Sequence, residues 1–263
     1  MRPTVWLRFV KIALLARLAY RADIVLSIFS SSLFLLVSLS VWRALYQNPG
    51  ADQEHVTYSS MATYVAGATL LQSFLTSDPS YFLRKIRTGD IAGDLLKPYS
   101  LPFALLAQNV GTGLWRAATG GLPVVLVGVF LMGVPLPRPA DAAWFVASAA
   151  LAGMLYFCFV LMISLTAFWT LEMQGFHDLQ WAVFAFASGS VVPLWFMPDV
   201  LAKVLRALPF QQMGFVPLTL WTGRAGDSGP LLLLGQVLWL IPMAGLAALV
   251  WRAAQRRVVI QGG

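Results

Sequence analysis

Charge is scarce in this chain. Of its 263 residues, 11% are charged and 59% are hydrophobic, and the mean hydropathy is +0.73. A soluble domain carries roughly 25% charged residues, so the composition excludes an ordinary soluble domain. Apolar runs that reach the roughly 20 residues needed to cross a bilayer recur from one end of the chain to the other. The composition therefore predicts an all-α polytopic membrane protein.

Residue types that usually carry chemistry are also few. The chain has one cysteine, Cys158, and two histidines, His55 and His177. Acids near a histidine, such as Asp52 and Glu54 beside His55, are better explained as polar loop residues than as metal ligands. No glycine-rich loop that ends in Lys-Ser or Lys-Thr occurs, so we do not expect the chain to hydrolyse ATP. We expect no catalytic, cofactor-binding or metal-binding residue.

Short polar breaks divide the apolar sequence into six predicted transmembrane helices. They cover residues 24–46, 57–77, 105–133, 142–170, 179–197 and 230–251. Arg116 interrupts the third run. That run is therefore either one span or an approach helix to about residue 118 followed by a span from Gly120.

Lys and Arg residues are concentrated on one side of the predicted membrane. Most of them lie in the N-terminal segment, in residues 84–97 and after Trp251. Because basic residues accumulate in cytoplasmic segments, both termini are predicted to be cytoplasmic. The net charge of +7 is explained by attraction to anionic membrane lipid, and we expect no binding of nucleic acid.

Two amphipathic stretches lie outside the predicted spans. Residues 4–22 put apolar side chains on one face and Arg8, Lys11 and Arg17 on the remaining surface. This pattern is typical of a helix that lies in the membrane interface. Residues 198–229 are too polar and too rich in proline to form a span, but they contain a short amphipathic stretch at 199–208.

The connection between the second and third predicted spans, residues 78–103, is both basic and rich in turn residues. Asp90 is expected to cap a short helix that ends before Pro98. One side of that helix would show Ile91, Leu95 and Leu96. Its edges would show Asp94 and Lys97. Such a helix suits docking into a groove on another protein. From the spacing alone, a helix that floats in the lipid headgroups is an equal alternative.

Several motifs follow one another in a familiar order. The basic connection contains Ile-Arg-x-Gly-Asp at 86–90 and Leu-Leu-x-Pro at 95–98. Tyr-Arg-Ala-Asp at 20–23, Trp-Arg-Ala-Leu-Tyr at 42–46 and Pro-Leu-Trp-Phe-Met-Pro at 193–198 lie around them. In these motifs and in its hydropathy the sequence resembles the membrane-spanning subunit of ABC-2 type ATP-binding cassette transporters. The resemblance covers residues 1–263 as a single transmembrane domain.

The resemblance implies six helices behind an N-terminal interfacial elbow helix at 4–22. It also implies a cytoplasmic coupling helix within 84–98 and short re-entrant outer helices within 198–229, between spans five and six. Coupling to the ATPase is expected from Arg84, Lys85, Arg87, Thr88, Gly89, Asp90, Ile91, Asp94, Leu95, Leu96, Lys97 and Pro98.

The resemblance further implies that the permease and the ATPase are separate subunits. ATP hydrolysis would lie on a separate cytoplasmic ATPase, present in two copies. The permease would pair with a second permease, identical or related, in the inner membrane of a bacterium. Members of the family are mostly exporters, so we expect export.

Two other functions are consistent with parts of the sequence. A non-transporting scaffold, or an immunity-type subunit of a larger complex, would share the apolar sequence but would have no ATPase partner. An intramembrane enzyme should show paired acids or histidines at similar depth in the membrane, and the sequence has none. No residue type or motif singles out a substrate-binding residue.

Overall fold

The computed structural model describes residues 21–47, 56–170 and 174–257. Within these ranges the chain forms eleven α-helices and no strand, so the predicted all-α class is confirmed there. The helices are α1 (Arg21–Tyr46), α2 (Tyr58–Phe74), α3 (Tyr81–Arg87), α4 (Ile91–Leu95), α5 (Leu101–Arg116), α6 (Leu122–Met132), α7 (Pro139–Leu165), α8 (Gln174–Ala187), α9 (Asp199–Arg206), α10 (Phe215–Trp221) and α11 (Gly229–Gln255).

Four helical stretches in the described ranges are long and apolar enough to cross a bilayer. They are Ile28–Tyr46, Leu101–Met132, Pro139–Phe168 and Gly226–Gln255. These stretches coincide with the first, third, fourth and sixth predicted spans. α2 and α8 lie where the second and fifth spans are predicted, but they have 17 and 14 residues, fewer than the about 20 that a span needs. The six-span arrangement therefore stays a prediction.

The third predicted span is continuous through Arg116. α5 ends at that residue, the turn Ala117–Gly121 is π-helical, and α6 begins at Leu122. The amide of Leu122 donates to the carbonyl of Ala117, which is the i→i+5 hydrogen bond of a π turn. A separate approach helix is therefore not formed. The run is one helix of 32 residues with a wider turn near its middle.

α2 forms the packed centre of the described fold, because each of residues 61–71 is buried. Trp221 of α10 lies directly against Gly67, and its indole Nε1 donates to the carbonyl of Thr63 at 3.0 Å. A Cβ atom at Gly67 would come within 2.6 Å of that nitrogen, so the close approach of the two helices requires glycine. The buried hydroxyl of Tyr64 donates to the carbonyl of Gly189 at 2.6 Å and holds the loop after α8.

A buried hydrogen-bond network joins two long helices, α7 and α11, of 27 residues each. The hydroxyl of Ser148 donates to Gln236 Oε1 at 2.9 Å, and Gln236 Nε2 donates to the carbonyl of Ser148 at 3.1 Å. The same nitrogen donates to the carbonyl of Gln212 at 2.7 Å. Because these residues are buried, the amide of Gln236 satisfies polar atoms on two other segments at once and joins α11 to both.

The two predicted amphipathic stretches have different outcomes. Residues 4–20 lie outside the described ranges, so the elbow helix stays a prediction. The stretch at 199–208 contains α9, which buries Ala202 and Leu205 and exposes Lys203 and Arg206. Its amphipathic character is confirmed, while its re-entrant placement in a membrane stays a prediction.

Replacing Gln236 by leucine should destabilise the protein. Gln236→Leu leaves the carbonyl of Gln212 buried without its donor, so we expect the free energy of unfolding to fall by about 1–2 kcal/mol. Thermal unfolding of the detergent-purified protein measures this change. Gln255→Leu, the same substitution at an exposed position of α11, is the control. Equal unfolding temperatures for the two variants would contradict this account of the network.

Candidate functional site

The basic segment, residues 78–100, connects α2 to α5 and contains the short helices α3 and α4. A tight turn separates the two helices at Gly89, whose φ of 76° is a left-handed conformation that favours glycine. The hydroxyl of Thr88 stabilises the turn by donating to the Arg84 carbonyl at 3.2 Å and to Asp90 Oδ2 at 2.9 Å. The sequence Arg-Thr-Gly-Asp therefore folds the segment back on itself.

The carboxylate of Asp94 lies at the centre of the basic segment. Its side chain is only 8% exposed, although α4 is a surface element. Three donors surround it: Lys97 Nζ at 2.6 Å, the Tyr81 hydroxyl at 3.0 Å and Lys85 Nζ at 3.3 Å. α3, α4 and the residues after α4 thus converge on one acid.

These contacts decide the ionisation state of Asp94. Burial is the largest single influence and would raise its pKa, but the hydrogen bonds from Lys97, Tyr81 and Lys85 together outweigh it. The pKa of Asp94 is therefore lowered from its usual value of 3.8. Burial and the hydrogen bond to Asp94 raise the pKa of Tyr81, which keeps that hydroxyl protonated as a donor. Asp94 is a buried, paired anion at neutral pH.

Two aromatic contacts attach the basic segment to the membrane helices. Phe82 of α3 is completely buried. Its ring lies 5.6 Å from the ring of Phe168, just beyond α7, and 5.7 Å from the ring of Trp251 in α11. The segment is therefore fixed to the ends of two long helices, and a displacement of α3 would be transmitted to both.

The exposed surface of the basic segment combines one apolar side chain with cations. Leu96 is 87% exposed. Arg84, Arg87 and Lys97 are exposed around the same short segment. Arg84 makes a two-pronged ion pair with Asp78, one contact of which is Nη1 to Oδ1 at 3.1 Å. This surface suits a partner with an apolar depression and acidic residues at its rim.

The structure departs from the predicted α4 in three details. Asp90 makes no side-chain capping hydrogen bond to α4. Its carboxylate instead accepts from Thr88 and lies 3.7 Å from Lys85. Asp94, predicted at an edge, is buried because it faces Lys85 and Tyr81. Leu96, predicted beside Ile91 on one apolar side, is exposed because α4 ends at Leu95.

The fold brings together four of the residues predicted for coupling, namely Lys85, Asp90, Asp94 and Lys97. Sequence reasoning missed Asp78 and Tyr81. The Asp-Pro-Ser sequence before α3 was an available indication for Asp78, since its carboxylate accepts from the amide of Ser80 at 3.0 Å in a local turn. Nothing in the spacing pointed to Tyr81, which lies 13 residues from Asp94.

Asp94→Asn should lower the free energy of unfolding at pH 7 by about 1–2 kcal/mol, because the lysines lose the charge they contact. The lowered pKa means that ionised Asp94 stabilises the fold above pH 3.8, and that this contribution falls as the pH drops below that value. The difference in free energy of unfolding between Asp94→Asn and the unmodified protein should thus persist from pH 7 to 5 and shrink below about pH 4. Thermal unfolding across this range measures it.

Asp90→Asn is the matched control. Its carboxylate is 61% exposed and has one long contact with a lysine, so we expect a change of less than about 0.5 kcal/mol. Equal destabilisation by the two substitutions, or an Asp94→Asn effect that grows below pH 4, would contradict the role assigned to Asp94.

Comparison with known proteins completes the description of this site. A family model described as ABC-2 family transporter protein matches residues 22–262. Comparisons with curated proteins and with solved structures each found no match. The family match confirms the resemblance seen in the sequence motifs. Because the matched range takes in the basic segment and all four stretches long enough to cross a bilayer, this chain belongs to the ABC-2 family of membrane transporter proteins.

Proposed function

We propose that this chain is the permease subunit of an ABC exporter and that its basic segment docks on a separate cytoplasmic ATPase. The observation that carries the proposal is the construction of that segment. An exposed leucine and several cations lie on two short helices or directly after them, and these helices are fixed underneath by a buried ion cluster and by Phe82. Family membership supplies the class of partner, since ABC-2 permeases normally work with ATP-binding subunits.

Stiffness is what a coupling element requires. A partner that pushes on the basic segment can move the spans only if the segment does not yield first. The carboxylate of Asp94 joins α3 to α4 through Tyr81 and Lys85. Phe82 in turn joins α3 to Trp251 and Phe168. This chain of contacts runs without interruption from the exposed surface to the ends of α7 and α11.

The chemistry of the exposed surface defines the groove that would receive it. Leu96 would fill an apolar depression, and burial of a leucine side chain contributes about 1.5–3 kcal/mol. Arg84 and Arg87 would face carboxylates at the rim of the groove, which favours the correct partner and speeds its association. The proposed partner surface is therefore an apolar cleft with acidic edges.

The contact between Phe82 and Trp251 supports a cytoplasmic location for this face. It brings the basic segment beside the last turns of α11, where Arg252, Arg256 and Arg257 follow Trp251. Two basic clusters distant in sequence thus meet at the same end of the helices. Because Lys and Arg accumulate on the cytoplasmic side, we propose that this end is cytoplasmic and that both termini lie there.

The remaining features of the proposal follow from the family resemblance. We propose six spans, with α2 and α8 as the second and fifth, an elbow helix at 4–22, and α9 and α10 as outer re-entrant elements. Two copies of the ATPase and a second permease, identical or related, would complete the exporter. The proposed location is the inner membrane of a bacterium.

Co-purification tests the proposal directly. The tagged chain is extracted from its native host in a mild detergent, and stoichiometric partners are identified by mass spectrometry. We expect a soluble P-loop ATPase. Leu96→Asp should reduce its recovery about tenfold or more, because a charge would enter the apolar cleft.

Leu136→Asp is the matched control. Leu136 is 61% exposed and lies in the connection between α6 and α7, which is outside the cell or in the periplasm on this proposal. Its substitution should leave recovery of the ATPase unchanged. Absence of any ATPase from the unmodified chain would contradict the permease function and favour the scaffold alternative. An equal loss of the ATPase with Leu96→Asp and Leu136→Asp would contradict docking through the basic segment.

A further inference from the structure

A polar cavity of about 370 Å³ lies beside the basic segment. Its walls come from the end of α2, from α5, from α7 and from α3. We call it the Arg116 cavity, and the polar residues that define it are Thr76, Asn109, Thr112, Arg116 and Ser164. A polar cavity among helices of this apolarity is unusual, because polar groups within a membrane are costly unless they serve a function.

Arg116 is the dominant charge of this cavity. It lies about halfway along the 32-residue stretch Leu101–Met132, at the end of a polar face of α5 that Gln108 and Thr112 share at helical spacing. Its Nη1 donates to the hydroxyl of Thr76 at 3.2 Å. Among the residues that the structure describes, no carboxylate lies within ion-pair distance of it.

The acid in the cavity wall does not neutralise Arg116. Asp78 lines the cavity but is held by both terminal nitrogens of Arg84. Arg116 therefore remains the uncompensated cation among the described lining residues. A guanidinium has five N–H donors in a planar fork that matches a phosphate or carboxylate, and in the part of the chain that the structure describes one of these donors is engaged, by Thr76.

Two further features mark the site. Ser164 presents a buried hydroxyl that lines the cavity and has no hydrogen-bond partner within the described chain. The π turn Ala117–Gly121 begins directly after Arg116, and such turns occur frequently at functional sites. A polar ligand group in the cavity would supply the Ser164 hydroxyl with a partner.

Apolar cavities adjoin the polar one. A cavity of about 250 Å³ shares Thr76 and Asn109 with it and is otherwise lined largely by apolar side chains such as Leu106 and Met154. A second, of about 380 Å³, shares Phe157 and Leu161 with it. The apolar walls of these two cavities lie next to the lining of the Arg116 cavity, and the apolar tail of a ligand bound at Arg116 would contact them.

We propose that the Arg116 cavity binds the headgroup of an amphiphile that carries a single anionic group. The apolar tail of this amphiphile lies in the adjoining apolar cavities. A resident anionic membrane lipid and a transported anionic amphiphile share this chemistry. As a statement about cargo, the proposal rests on the permease function proposed above, whereas binding itself needs no ATPase.

The position of the cavity connects its ligand to the basic segment. Tyr81 lines the cavity and donates its hydroxyl to Asp94. Asp78 lines it as well and holds Arg84. An occupant of the cavity therefore touches the residues that stabilise the proposed docking surface.

Native mass spectrometry of the delipidated full chain tests the binding. The protein is titrated with phosphatidylglycerol, phosphatidylcholine, dodecyl phosphate and inorganic phosphate. We expect an anionic amphiphile to bind more tightly than phosphatidylcholine. Arg116→Gln should weaken that binding about tenfold, the effect of losing one charge-assisted contact. The affinity of Arg116→Lys, which keeps the charge but lacks the planar guanidinium, should lie between those of the unmodified chain and of Arg116→Gln.

Controls separate the site from the general charge of the protein. Arg138→Gln removes an exposed cation beyond the other end of the long helix and should leave binding unchanged. Thr112→Leu narrows the cavity and keeps Arg116, so it should weaken binding even if Arg116→Gln does not fold. Binding of phosphatidylglycerol identifies a resident lipid, and binding of dodecyl phosphate alone identifies a single-tailed cargo; either result supports the proposal.

Three results would overturn it: equal affinity for phosphatidylcholine, equal weakening by Arg138→Gln, or unchanged binding in both Arg116→Gln and Thr112→Leu. Inorganic phosphate that binds as tightly as either amphiphile would overturn the role of the tail. Since the titration uses the chain alone, these results leave the docking of an ATPase untouched.

Discussion

A single carboxylate, that of Asp94, determines how the basic segment of this protein is organised. Removing an ion from water is costly unless donors replace the water. Here the ammonium groups of Lys85 and Lys97 and the hydroxyl of Tyr81 replace it. The two lysines keep part of their surface in water, so the cluster is anchored inside while its cations remain accessible. Two helices of seven and five residues, which would be unstable in isolation, are fixed by these contacts.

The contacts at this end of the molecule hold the basic segment rigidly and also connect it to the long helices and to the Arg116 cavity. Phe82 connects α3 to α7 and α11, and Tyr81 connects the Asp94 cluster to the Arg116 cavity. The exposed face of the basic segment, the ends of α7 and α11 and a polar cavity are therefore adjacent. In a transporter driven by a separate ATPase, this adjacency would let events on the cytoplasmic surface and in the cavity influence each other through direct contacts.

Sequence reasoning succeeded where the physical cause lies in a long stretch of similar residues. The apolar runs predicted the four stretches of the described chain that are long enough to cross a bilayer, because about 20 consecutive apolar residues are hard to explain otherwise. Sequence reasoning was weaker where a helix is barely long enough to cross a bilayer. One example is α2, which has only 17 residues and is buried over residues 61–71. The charge of Arg116 left open whether the third run is one span or an approach helix followed by a span, and the structure forms one helix with a π turn directly after Arg116.

The sequence motifs locate the basic segment, but they do not predict which of its side chains are buried. Asp94 and Leu96 are two residues apart, and spacing alone put the acid at an edge and the leucine on the apolar side. Asp94 is buried by its contacts with Lys85 and Tyr81 on α3, which no periodicity within α4 encodes, and Leu96 is exposed because α4 ends at Leu95. The family match over residues 22–262 identifies the class of protein, and the contacts identify which residues form the exposed surface.

The most direct test of the central claim is cross-linking in native membranes. A photo-reactive amino acid at position 96, with position 136 as the comparison, is activated in intact cells, and the adducts are identified by mass spectrometry. The account predicts an adduct with a P-loop ATPase from position 96 and none from position 136. Adducts from position 96 that contain only lipid would contradict it.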